Sequence, residues 1–208
     1  MKLLGRFESR KQQMARQAAQ AAQAHLQVVR DEYGRYCKSR FMTVEQALLD
    51  FEELIRHPQV QHVAFATINK HRYFLIGTTH ISISHKGERY SIGEFIIMIH
   101  RPAQNTEKHA PVVLVENVTP SNGITGGVRG KRSRAVGSDG VETVRLLHYA
   151  HPHVFGNPGP FCMQTGKDEL NMSLSEGDFL EGFNYIISAL QSAGPNMAYH
   201  EIEHWPRA

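Results

Sequence analysis

The pattern of apolar and polar positions predicts helices at both ends of the chain. Apolar side chains recur every three or four residues between residues 8 and 38, which predicts one long helix. A second helix is predicted from Thr43 to Pro58, and a last one from Ser175 to Gly194. The last helix has a wide apolar stripe, which we expect to pack across a sheet. The stripe consists of Phe179, Leu180, Phe183, Ile186, Ile187 and Leu190.

Strand patterns occupy the middle of the chain. Apolar alternation and β-branched residues predict strands at 62–68, 72–84 (in one or two pieces), 90–100, 111–118 and 143–149. The turns at Asn69-Lys70 and Lys86-Gly87 favour antiparallel connections. The order of elements therefore predicts an α+β fold, an antiparallel meander with helices covering one face.

Two segments do not fit that domain and are assigned separately. The apolar face of the first helix is mostly alanine, so residues 1–42 are predicted to form a helical arm that buries little and docks on a partner. Residues 120–140 contain six glycines and no hydrophobic period, so a flexible basic insertion is predicted at 119–142. The remaining domain is expected to span residues 43–208.

The composition of the chain excludes several classes of protein. The chain has 208 residues, 41% of them apolar, which allows a core and excludes full disorder. The sequence contains neither an apolar run of about 20 residues nor a signal peptide, and its two cysteines cannot form a disulfide framework. We therefore expect a cytoplasmic protein that does not enter a membrane.

Charge is unevenly distributed along the chain. Residues 1–40 carry nine basic and three acidic residues, a balance of +6, and residues 121–140 add +3, so the rest carries −6 of the net +3. The basic arm and loop are either solvated charge or contacts for an acidic partner, and nucleic acid is not the expected partner.

The candidate chemistry lies in residues 151–162. His151-Pro152-His153-Val154 is followed by a segment rich in glycine and proline that ends at Cys162. A cysteine on irregular backbone with histidines nearby is a candidate nucleophile, whereas most free cysteines are small buried apolar residues. Spacing alone leaves both interpretations open.

These residues resemble the active-site segment of ubiquitin-conjugating (UBC-like) enzymes, in which His-Pro-Asn precedes the thioester-forming cysteine by about this distance. The run from Tyr90 to Pro102 resembles the family's third strand, and Val144-Arg145-Leu146-Leu147 precedes the motif as it does there. The resemblance covers roughly residues 43–195 and implies a UBC-like domain, an antiparallel four-stranded meander covered by an N-terminal helix and a crossover helix. His153 stands where the family's motif has Asn. This replacement and the basic insertion are both more typical of divergent bacterial members of the family.

The resemblance implies an activity and partners. Cys162 would accept a ubiquitin-like protein as a thioester from an activating enzyme and pass it to an amine acceptor, with His153 as a donor to the oxyanion and His151, the third candidate catalytic residue, holding the loop through backbone hydrogen bonds. No cofactor is implied. Such bacterial systems are often linked to antiphage defence. A rival hypothesis is a binding module of the same fold with Cys162 buried.

Two metal sites are weaker alternatives. His148, His151 and His153 with Cys162 offer zinc ligands, although Pro152 and strand alternation would turn them in different directions. His200 and His204 match the His-Glu-x-x-His pattern of zinc hydrolases, but the four residues after them offer no downstream ligand. We expect no metal and assign residues 200–204 to a charged, partly exposed tail.

Overall fold

The computed structural model describes residues 2–100, 113–119, 132–136, 142–146, 150–154, 156–161, 167–192 and 205–208, with the backbone alone at 2–12, 132–136, 142–146 and 167. Four helices are present in this part of the chain: α1 (Lys2–Cys37), α2 (Val44–Leu54), α3 (Lys167–Glu176) and α4 (Phe179–Leu190). The expected α+β class is confirmed.

Side-chain caps begin two of the helices. Thr43 Oγ1 accepts the Gln46 N–H at 3.2 Å before α2, as the sequence predicts. The last helix begins at Asp178, whose carboxylate accepts the Glu181 N–H at 2.9 Å, and not at Ser175 as predicted. Gly177 adopts φ +93°, which ends α3 and turns the chain into α4.

Nine strands are described, in three sheets. They are β1 (Val60–Ile68), β2 (His71–Thr78), β3 (Ile81–His85), β4 (Glu88–Gly93), β5 (Phe95–Ile99), β6 (Val113–Asn117), β7 (Arg132–Val136), β8 (Glu142–Leu146) and β9 (Gly159–Pro160). The main sheet has the order β1-β2-β5-β6-β9 and every pairing is antiparallel. The predicted four-stranded meander is thus β1-β2-β5-β6, with β9 added at its edge.

The hairpin β3–β4 is inserted in the meander between β2 and β5. The strand predicted at 90–100 is divided at Gly93, which adopts φ +126°. A Cβ at Gly93 would come within 2.8 Å of Asn117 Oδ1 and would also collide with the Thr119 hydroxyl. The break occurs here because only glycine allows both this φ and this close approach.

The basic insertion contains regular structure. Residues 132–136 form β7, which pairs with β8 in register from Arg132↔Leu146 to Val136↔Glu142. Residues 132–136 are therefore a strand and not irregular loop, while the flexibility predicted for 119–142 stays a prediction. Pairing with the next strand gives this segment its structure although its own sequence has no hydrophobic period.

The core joins the end of α1 to the sheet and to α4. The Tyr33 ring is fully buried and contacts Phe51, Phe74 and Phe179, with ring centroids 5.1, 4.9 and 6.0 Å away. Val29 and Cys37 are buried on the same helix. The expectation that residues 1–42 bury little is therefore wrong for residues 29–37 and holds for residues 13–28, which are exposed.

The chain end at 205–208 is tied to the hairpin. The Trp205 side chain is buried, and the residues after it pair with β4. The Ser91 N–H donates to Pro206 O and the Ala208 N–H donates to Arg89 O, both at 2.8 Å. Trp205 is thus anchored while the three residues after it stay exposed, and residues 200–204, which we assigned to a charged tail, lie outside the described residues.

Candidate functional site

The structure describes part of the predicted active-site segment. His151 and His153 lie in the described chain, and Phe161 is its last described residue before Cys162. Cys162 itself lies outside the described residues, as do His148, His200 and His204.

His151 is fully buried and held by backbone at both ring nitrogens. Nδ1 accepts the His153 N–H at 3.1 Å, and Nε2 lies 3.0 Å from Leu190 O. A nitrogen that accepts carries no proton, so Nδ1 is bare and Nε2–H donates to the carbonyl at the end of α4. Both partners are backbone groups, which is the arrangement that the resemblance implies for a histidine that holds the loop.

The imidazole of His151 is neutral in the folded protein. Burial, and secondarily the neighbouring His153, lower the pKa of His151 to about 3, against the opposing effect of the Leu190 hydrogen bond. A neutral ring with both nitrogens engaged has no site left for a substrate proton. The candidate role of His151 as a catalytic group is therefore not supported by its geometry, whereas a positioning role is.

His153 is placed differently from His151. Its side chain is half-buried, and its ring stacks on that of His151 with centroids 5.5 Å apart and planes inclined by 28°. The turn between them is closed by the Val154 N–H, which donates to His151 O at 2.9 Å. Stacking fixes the ring of His153 at the partly open side of a turn whose other side is core.

Two asparagines that we did not predict clamp this loop to the sheet. The Asn117 N–H donates to Asn157 Oδ1 at 2.8 Å, and Asn157 Nδ2 donates to Asn117 O at 3.0 Å. Asn117 Nδ2 donates to Ile92 O and Ala150 O at 2.9 and 3.1 Å, and its Oδ1 accepts the Thr119 N–H at 3.0 Å. The buried Asn117 amide therefore joins β4, β6 and the start of the His-Pro-His segment.

One sequence signal for this clamp was available. Asparagine is disfavoured in strands, so an Asn in the run Val113-Leu-Val-Glu-Asn117 indicates a special hydrogen-bonding role. The partner, Asn157, is 40 residues further along the chain, and sequence reasoning had no means of pairing the two.

Strand β9 returns the chain to the sheet beside the histidine turn. Gly159 pairs with Val115 and Pro160 with Leu114, and the Phe161 N–H donates to Val113 O at 3.1 Å. Val154 also forms an antiparallel bridge with Phe161. The turn that carries His153 and the strand that leads to Cys162 are thus neighbours in one antiparallel arrangement.

The described part of the chain contains no group of three or more His, Cys, Asp or Glu side chains that could bind a metal ion. His151 is unsuitable as a ligand because one ring nitrogen accepts a backbone N–H and the other donates to a carbonyl. The zinc alternative that includes His151 is therefore not supported.

A comparison of the chain with protein-family models, with curated proteins and with solved structures found no match. None of the helices within the described ranges is both long and apolar enough to cross a membrane.

Proposed function

We propose that the protein is a ubiquitin-conjugating-type enzyme. It accepts a ubiquitin-like protein from an activating enzyme as a thioester on Cys162 and transfers it to an amine of an acceptor. The role in a bacterial, antiphage pathway belongs to the same proposal. The observation that supports this proposal most strongly is the antiparallel bridge between Val154 and Phe161. Val154 follows His153 in the sequence, and Phe161 precedes Cys162.

The bridge limits the distance between His153 and the strand that leads to Cys162. Consecutive Cα atoms are about 3.8 Å apart, and paired Cα atoms of antiparallel strands are about 4.5–5.5 Å apart. The Cα atoms of His153 and Phe161 are therefore within about 9 Å of each other. Cys162 follows Phe161 directly in the sequence, although eight residues separate it from His153. This proximity supports a shared reaction centre for the imidazole and the thiol.

The order of elements also supports the proposal. Helix α2 runs into the antiparallel meander β1-β2-β5-β6, the His-Pro-His turn follows, and α3 and α4 come after the cysteine. This is the order expected of a UBC-like domain. The neutral His151 and the Asn117–Asn157 clamp hold the turn in place. The backbone of His153 is therefore in a fixed position.

The reaction consists of two acyl transfers. The Cys162 thiolate attacks the thioester carbonyl of the charged activating enzyme, a new C–S bond forms, and the enzyme's cysteine leaves as a thiolate. An acceptor amine then attacks the new thioester, loses a proton, and displaces the Cys162 thiolate. The aminolysis step passes through a tetrahedral oxyanion, which a ring N–H of His153 would stabilise.

A thioester assay tests this proposal. The full-length protein is mixed with the activating enzyme and ubiquitin-like protein of its own system and ATP, and the products are separated on gels with and without thiol. We expect a thiol-sensitive adduct that disappears in Cys162→Ala and remains in Cys37→Ala, since Cys37 is buried in the core.

A His153 pair adds a control for the oxyanion role. His153→Ala should leave charging of Cys162 intact and slow aminolysis roughly ten- to a thousand-fold, and His153→Asn, the family's residue, should restore much of that rate. A wild-type protein that forms no adduct while the activating enzyme charges normally would replace the proposal by the binding-module hypothesis. Slow labelling of Cys162 by a bulky thiol reagent would then be expected.

A further inference from the structure

We propose that strand β1 pairs with β1 of a second copy, antiparallel, so that two main sheets join into one across a two-fold axis. The interface is the edge of the sheet opposite to β9, which lies beside the candidate site. The inference goes beyond the conjugating activity and does not depend on it.

Strand β1 is a long edge strand with an unpaired side. It contains nine residues, Val60–Ile68, and its neighbour in the main sheet is β2. In the described part of the chain, no backbone hydrogen bond joins residues 61–67 to a segment other than β2. An edge strand presents a row of unpaired N–H and C=O groups, which a further strand can bind.

Two other edges in the structure are protected against such pairing. Strand β9 is two residues long and contains Pro160, and the free side of β4 is covered by residues 206–208. Short strands, prolines, charged residues and covering segments block the pairing of one sheet with another. Strand β1 contains neither a proline nor an Asp, Glu, Lys or Arg residue, and its one irregularity, at Gln61, lies near its start.

The turn at Asn69-Lys70 determines which backbone groups of β1 are free. Both turn residues have a positive φ, 49° and 69°, so Ile68 and His71 close a two-residue hairpin and exchange both of their backbone hydrogen bonds. Hydrogen-bonded pairs alternate with non-hydrogen-bonded pairs along an antiparallel ladder, so the even-numbered residues from 62 to 68 bond to β2. The groups that point to the free side are those of Val63, Phe65 and Thr67.

A two-fold pairing centred on Ala64 matches these free groups to each other. Val63 forms a hydrogen-bonded pair with Phe65 of the second copy, once on each side of the axis, and Thr67 pairs with Gln61 beyond them. Ala64 lies on the axis and faces Ala64 of the second copy in a non-hydrogen-bonded pair, whose Cα atoms are about 4.5 Å apart. The ladder is apolar at its centre and self-complementary, as a two-fold interface requires.

The side chains of β1 favour a second copy as the partner. Phe65 is half-buried, and its ring contacts Tyr36 and Phe74 with centroids 5.2 and 5.0 Å away. Val63 of the second copy would cover more of this ring, and pairs of aromatic and β-branched residues stabilise a sheet. Because β1 carries no Asp, Glu, Lys or Arg, self-pairing sets no such like charges opposite each other, whereas a charged strand would find no counter-charge on β1.

Sedimentation velocity of the full chain over a concentration series tests the proposal. We expect a reversible dimer of twice the 23.5 kDa chain mass with a Kd of about 10–100 μM. Ala64→Lys and Ala64→Glu each set like charges opposite each other on the axis and should raise the Kd at least about ten-fold. A mixture of the two variants sets opposite charges there and should dimerise at least about ten-fold more tightly than either variant alone.

Disulfide cross-linking in a Cys162→Ala background tests the register directly. Ala64→Cys sets two thiols opposite each other on the axis and should form an interchain disulfide under mild oxidation. The matched control is Ala66→Cys, at a half-buried alanine on the same face of β1. Its two thiols would lie about 13 Å apart along the strands and should not cross-link.

Three results would overturn the proposal, whatever the thioester assay shows. They are a wild-type chain that stays monomeric at about 500 μM, a mixture of the two charged variants that dimerises no better than either alone, and a cysteine at position 64 that cross-links no more than one at position 66. Circular dichroism of each variant confirms that it is folded before these comparisons are made.

Discussion

The buried neutral His151 makes a quantitative prediction about stability and pH. The pKa of His151 is about 3 in the folded protein, and an unfolded histidine has a pKa of about 6.5. Above pH 6.5 the imidazole is neutral in both states and pH has no effect through this group. Between these two pKa values the unfolded chain binds one proton more than the folded chain, so stability falls as the pH falls.

The size of the effect follows from one proton. Each pH unit below the unfolded pKa costs about 1.4 kcal/mol until the folded pKa is reached. Between pH 7.5 and pH 5.0 the free energy of unfolding should therefore fall by about 2 kcal/mol on account of His151 alone. No discount for solvent screening applies, because the side chain is fully buried.

Urea unfolding of wild type and His151→Gln at the two pH values isolates this term. The other titrating groups, including His100, whose pKa is also lowered by burial and by His71, remain in both proteins and cancel in the difference. The variant should be less stable at pH 7.5 and should lose about 2 kcal/mol less than wild type on acidification.

Equal pH dependence in the two proteins would refute the reasoning. If the variant unfolds too readily for a reliable curve, ¹⁵N NMR of the wild-type imidazoles supplies the test. The ring of His151 should keep one neutral tautomer, protonated at Nε2, down to about pH 4. A His151 ring that titrates near 6.5 would contradict its assignment as a buried, backbone-bonded group.

Three substitutions test the packing around the site by urea unfolding. Gly177→Ala should lower the free energy of unfolding by about 3 kcal/mol or more, because the new Cβ collides with the Cys37 carbonyl at a positive φ. The control Gly87→Ala has a similar φ but open space around the Cβ, and should lower it by about 1–2 kcal/mol. Equal losses of stability in the two variants would contradict the clash at Gly177. Asn157→Ala removes both clamp hydrogen bonds and should cost about 1–3 kcal/mol, and no loss would show that the clamp is not formed. Trp205→Ala should cost about 3–5 kcal/mol, and a loss below about 1 kcal/mol would mean that the chain end is undocked.

The elements with strong periodicity could be predicted from the sequence. The stripe of α4, the Thr43 cap and the alternation of β1, β2, β5 and β6 are local patterns, and each formed the element that it predicts. Where the predicted secondary structure was wrong, a contact with a residue distant in sequence determines the observed structure. Pairing with β8 turns residues 132–136 into a strand, and the approach of Asn117 and Thr119 to Gly93 divides the strand predicted at 90–100.

The candidate site divides in the same way. The glycine- and proline-rich pattern was enough to place His151 on irregular backbone, and the resemblance to conjugating enzymes implied its backbone hydrogen bonds. The partner carbonyl at Leu190 and the Asn117–Asn157 clamp join segments up to 40 residues apart. No single stretch of sequence contains both members of such a pair, so only the fold reveals them.

The central claim is that Cys162 carries the acyl group, and trapping with Cys162→Ser tests it most directly. Intact-mass spectrometry after incubation with the activating enzyme, ubiquitin-like protein and ATP should show one added ubiquitin-like protein on wild type, removed by thiol. The serine variant should carry the same mass as an ester that survives thiol and is cleaved by alkali. An adduct that persists in Cys162→Ala, or that survives thiol on wild type, would contradict the account.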